Sequence, residues 1–178
     1  MGEVDRFGIQ TVEALTTLVR ANHYLHALIL LYSAIDALAW ANLPSGDVTR
    51  SDFCNWVSQY MDPQSSLGCS SEDLYAARCG LLHSSTAESK MSREGRASEL
   101  WYVTSPHSIR KLDAHRQRVG SQAKVVYFTA LVSAFAEGVM RFSDDLTTDP
   151  KRQVTVTDRM ERWLRFLPMN SVQQAEWS

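Results

Sequence analysis

Arg78 and His83 stand five positions apart in Arg78-Cys79-Gly80-Leu81-Leu82-His83. The pair joins a permanent cation to the side chain whose ordinary pKa lies nearest neutrality. An imidazole can take the proton of an attacking hydroxyl, and a planar guanidinium donates two parallel hydrogen bonds to a phosphate. Phosphate-ester chemistry is what these residue types would serve, and neither needs a metal or a cofactor for it.

Helical spacing makes Arg78 conspicuous. With Leu74 at zero, an ideal helix puts Arg78 at about 40°, Leu81 at about −20° and Leu82 at about 80°, so the charge interrupts an apolar stripe. Such a charge must be paired, face an interface or line a solvated cleft, because an unpaired buried ion costs several kcal/mol. A purely structural arginine held by a carboxylate fits the same position. Asp36 is the expected partner. Asn22, His26, Ser33 and Asp36 fall within about 80° of helical arc, a polar seam along an otherwise apolar element. Asp36, with Ser33 beside it in the seam, is expected to orient Arg78 or a motif histidine, or else to satisfy core hydroxyls and amides. Cys79 could act as a nucleophile only with a local general base, and the sequence places none beside it. His23, His26, His107 and His115 lack the spacing of a zinc site, so no metal is expected.

The elements that must position these residues read as helices. Val4, Phe7, Val12, Leu15, Leu18 and Val19 predict an amphipathic helix over 3–20, followed by an apolar helix over 22–41 that Pro44-Ser45-Gly46-Asp47 ends. A short third helix runs over 51–61, Asp62-Pro63 closes it, and a polar loop leads to Cys69. Ser70-Ser71-Glu72-Asp73 is a helix start, with early carboxylates at the positive end of the dipole, for a fourth helix to Ser84. Residues 85–98 are expected as an exposed loop, and Leu100 to Thr104 as a short strand or extended segment. A second strongly apolar helix is predicted over 121–142. Beyond Pro150, the alternation Val154-Thr155-Val156-Thr157 leads into a short basic helix from Asp158 carrying Met160, Trp163 and Leu164, which Pro168 ends. The fold class is all-α, a helical bundle with the 22–41 and 121–142 helices at its centre.

Composition bounds the rest. The 178 residues are 44% apolar and 21% charged, with a formal net charge of −2. A chain of this length buries roughly 70% of its unfolded surface and needs no staple. The charge excludes a histone-like binder but hides local asymmetry. Between Ser92 and Lys124 stand seven basic residues (Arg93, Arg96, Arg110, Lys111, Arg116, Arg118, Lys124) against three acidic ones, and residues 41–90 are biased acidic. Such basic stretches can hold a phosphate backbone or can be solvated helix faces. Three cysteines (Cys54, Cys69, Cys79) and no signal or lipidation pattern predict a reduced, cytoplasmic protein. The apolar run from Tyr24 to Trp40 carries His26, Ser33 and Asp36 and is expected as a buried helix, with no membrane partner.

The phrase Asp73 to Ser84, containing Arg-x4-His on a capped helix, together with the apolar helix Ile29-Leu30-Leu31-Tyr32-Ser33-Ala34-Ile35-Asp36, resembles the HEPN superfamily over residues 22–142. The resemblance implies a bundle of HEPN type over 1–168 with a frayed tail at 169–178. It also implies a metal-independent endoribonuclease, a toxin or defence effector, with Arg78 and His83 of two copies lining one dimer cleft. RNA and a second copy are the expected partners, an antitoxin is a further one, and no DNA specificity is evident. The alternative is a catalytically silent module that binds a nucleotide, RNA or a protein. On one helix the two motif residues lie about 140° and about 7.5 Å apart, so convergence needs either a turn loosened at Gly80 or a two-fold axis. Cys79 replaces the polar residue that commonly follows the motif arginine. Ser85 stands where some family toxins carry the tyrosine at which a partner nucleotidyltransferase silences them. These departures argue against that mode of silencing and for reduced or altered catalysis.

Overall fold

A computed structural model of the chain describes residues 2–84 and 89–162, less the side chains of His83, Ser84 and Pro106. Helix α1 (Glu3–Arg20) begins with Glu3 and Asp5 in its first turn, where carboxylates favour the positive end of the dipole. It buries Val4 and Leu15 against helices α2 (Tyr24–Ala41) and α8 (Phe128–Thr148). Gly8 permits the close approach to α8: a Cβ there would lie 2.5 Å from Val139 Cγ1. By length and composition α2 could cross a membrane. Its Leu31, Tyr32, Ile35 and Leu38 are fully buried in the protein instead.

Helix α3 (Arg50–Trp56) is capped by Thr49, whose hydroxyl accepts from the amide of Asp52, and passes into a π-helical turn at Val57–Met61. That turn carries Tyr60 to α8, where its hydroxyl donates to Asp145 Oδ2 at 2.7 Å. Trp56, Tyr60 and Phe142 pack ring against ring beneath it. The expected polar loop after Asp62 holds a short helix, α4 (Pro63–Leu67), because Pro63 and Leu67 find apolar neighbours to bury against.

Helix α5 (Ser71–Ser84) starts as its sequence predicts. Ser70 Oγ accepts from the amide of Asp73 at 3.1 Å and Asp73 Oδ2 accepts from that of Ser70 at 2.8 Å. The expected loop over 85–98 contains helix α6 (Lys90–Arg93), which Ser89 caps and Met91 anchors in the interior. Residues 85–88 of that expectation lie outside the described residues.

A small sheet corrects the all-α reading. Strand β1 (Leu100–Val103), the expected extended segment, pairs in parallel with β2 (Lys124–Tyr127), with Leu100 opposite Lys124 and Val103 opposite Tyr127. The predicted helix over 121–142 therefore begins only at Phe128. Val125 and Val126 suit a pleated surface as well as a buried helix, and the neighbouring strand decides. Parallel strands need a crossover, and helix α7 (Pro106–Arg118), which the sequence left unassigned, supplies it. A second correction falls near the end. The helix expected from Asp158 begins at Pro150 and takes in the Val154–Thr157 alternation as α9 (Pro150–Met160), since Asp149 accepts from the amide of Arg152 and Pro150 suits a first helical turn. Trp163, Leu164, Pro168 and the expected tail at 169–178 lie outside the described residues. The chain is mostly helical, with α2 and α8 supplying much of the core.

Candidate functional site

Arg78 projects from the middle of α5 toward α2, held there because Leu74, Ala77 and Leu81 on the same helix are buried. Asp36 meets it. Arg78 Nε donates to Asp36 Oδ2 at 2.7 Å, and Nη2 lies 2.6 Å from the same oxygen. The two side chains are 19% and 16% exposed, so the pair sits at the margin of the core and touches solvent. Burial opposes the guanidinium charge, but the Asp36 carboxylate outweighs it and leaves the Arg78 pKa above its ordinary value. The carboxylate thus fixes the plane of the guanidinium.

The seam opens outward. Asn22, His26 and Ser33 are exposed, and Asp36 lies half-buried at its inner end. Ser33 is placed on the same strip as Asp36. Cys79 is half-buried, with Sγ 4.0 Å from Arg78 Nη1. Tyr75, which the sequence reading did not single out, belongs here too: its ring centroid is 6.0 Å from Arg78 Cζ and 5.4 Å from that of Phe53. Its position three residues before Arg78, on the same helix face, was the signal. Burial first and Cys79 second push the Tyr75 phenol up.

His83 lies on the last turn of α5, and its side chain is outside the described residues. The helix continues through Gly80, so the route by a loosened turn is not taken. The other two cysteines are interior, where burial raises Cys54 to about 11 and Cys69 to about 12.

Among the described residues no three His, Cys, Asp or Glu side chains gather as a metal cluster. Apart from the Arg78 site, a cavity of about 530 Å³ is lined by Asp73, Arg96, Ser98, Glu99, Ser121 and Gln122. Asp73 anchors its wall, since Asp73 Oδ1 accepts from the amide of Ser98 at 2.6 Å and Oδ2 from Lys124 Nζ at 2.8 Å. No family model, curated protein or solved structure matches the chain.

Proposed function

We propose that the chain is a cytoplasmic, metal-independent endoribonuclease of HEPN type, a toxin or defence effector working as a homodimer, with Arg78 and His83 as its catalytic residues. The observation that carries the reading is the Asp36–Arg78 pair. A guanidinium oriented by a buried-edge carboxylate, at the end of a polar strip reaching solvent, is prepared to meet a phosphate.

The chemistry balances without a metal. His83 takes the proton of the 2′-hydroxyl, and the 2′ oxygen bonds to phosphorus. The P–O5′ bond then breaks, its electron pair leaving with the 5′ oxygen, which takes a proton from the partner's His83 as imidazolium. The products are a 2′,3′-cyclic phosphate and a 5′-hydroxyl. Arg78 neutralises the charge that grows on the phosphorane. A two-fold axis supplies the convergence that about 140° of helical separation denies within one chain.

The test is cleavage of single-stranded RNA in EDTA by wild type, Arg78→Ala and His83→Ala. Each variant is expected to lose at least about 100-fold. No wild-type cleavage, or equal cleavage by all three, overturns the reading. Light scattering should give a dimer at working concentration, and ectopic expression should arrest growth only while His83 is intact. The second reading, a silent module binding nucleotide, RNA or protein, is favoured by the same pair, because a structural arginine would also be held by Asp36. Under it, Arg78→Ala destabilises the fold while cleavage is absent throughout.

A further inference from the structure

Six of the seven cations between Ser92 and Lys124 divide sharply in the fold. Arg96 binds Glu94, Arg116 binds Asp113 at 2.7 Å and Lys124 binds Asp73 at 2.8 Å. Arg110, Lys111 and Arg118 are exposed on α7, and none of the three has a carboxylate partner among the described residues. Arg118 Nη2 lies 2.9 Å from Nδ1 of the exposed His115.

The three share a face. With Arg118 at zero, ideal helical geometry puts Lys111 at about 20° and Arg110 at about −80°, spread over about 12 Å of axis. Asp113, the only carboxylate on α7, falls at about −140° on the same scale, beyond Arg110 at the margin of the face, and is committed to Arg116. The opposite side of the helix packs on β1 and β2, which leaves Arg110, Lys111 and Arg118 facing outward. Unbalanced like charges repel and contribute nothing to folding, and an extended polyanion relieves that repulsion.

We infer that the outer face of α7, through Arg110, Lys111 and Arg118, is the docking surface for the backbone of a single-stranded RNA. This rests on the RNA reading of the Arg78 site and adds where the strand is held away from the scissile phosphate. Contacts of this kind are blind to sequence and sensitive to salt.

The experiment is fluorescence anisotropy with a labelled twelve-residue oligouridylate in EDTA, using the full chain carrying His83→Ala so that the probe is not cut. Each phosphate contact contributes about −0.7 to the slope of log affinity against log salt. Arg110→Gln/Lys111→Gln/Arg118→Gln is therefore expected to flatten the slope by about 2 and weaken binding at least tenfold near 0.1 M salt. A control pair on other exposed cations, Arg20→Gln/Lys151→Gln, is expected to bind within twofold of the parent. An unchanged slope in the triple variant, or an equal loss in the control, overturns the proposal. So does binding of the parent to phosphatidylserine vesicles without binding to RNA. Dinucleotide cleavage by otherwise wild-type protein, which involves a single phosphate, reports the Arg78 site alone. It should survive the triple substitution and vanish in Arg78→Ala, so the two readings fail separately.

Discussion

Asp73 and Asp36 each hold a cation across elements, in contrasting ways. Asp73 is 3% exposed and accepts from the amides of Ser70 and Ser98 and from Lys124, so its bonds join the start of α5 to the segment before β1 and to β2. Asp36 gives one oxygen to two N–H groups of one side chain, between helices already joined by apolar packing. The first carboxylate closes the architecture. The second holds a guanidinium at the margin of the core.

Asp73→Ala is the severest test of that contrast. It strands buried amides and an ammonium and is expected to cost about 3 kcal/mol, lowering Tm by about 6–12 °C. Asp36→Asn should cost about 1 kcal/mol of stability but at least about tenfold in RNA cleavage, since Arg78 loses its orientation. A stability loss equal to that of Asp73→Ala, with cleavage untouched, would make both carboxylates architectural.

Lys124→Met is smaller again, about 1 kcal/mol by urea denaturation, because the lysine side chain is 37% exposed and solvent screens it. Acid probes the same site from the other side. Burial pushes the Asp73 carboxyl up, yet Lys124 and the amides of Ser70 and Ser98 overcome it and leave it below the usual carboxylate range. A depressed carboxyl contributes stability that is complete above its unfolded pKa of about 3.9 and is lost as pH falls through its folded value. Urea midpoints should thus fall below about pH 4, and Asp73→Asn should remove part of that fall. The smallest effect is expected at the Arg50–Glu72 ion pair, whose side chains are 45% and 38% exposed. Arg50→Gln should leave Tm unchanged within error.

Local signals were sufficient where one element carried its own instructions. Val4 and Leu15 on a 3.6-residue period defined α1, and Ser70 with Asp73 announced α5. They failed where two readings were locally equal. Val125 and Val126 fit strand and helix alike until β1 offered a partner, and the alternation Val154 to Thr157 hid a helix that Asp149 and Pro150 start. Helix α7 was hidden because its few apolar residues, Ile109 and Leu112, are only half-buried and its period is weak. Asp36 and Arg78 were each recognisable as charges out of place on apolar helices. Their meeting spans 42 positions of sequence, which no local pattern encodes.

By itself the sequence determined which helices carry the core and which charges a core would not ask for, because periodicity and residue type act within a few turns. Tertiary structure alone decided that Asp36 holds Arg78 among the partners its position allowed, that β1 and β2 pair around α7, and which cations of the basic stretch are neutralised. Those outcomes depend on which distant segments become neighbours, and burial, ion pairing and strand register follow from that proximity.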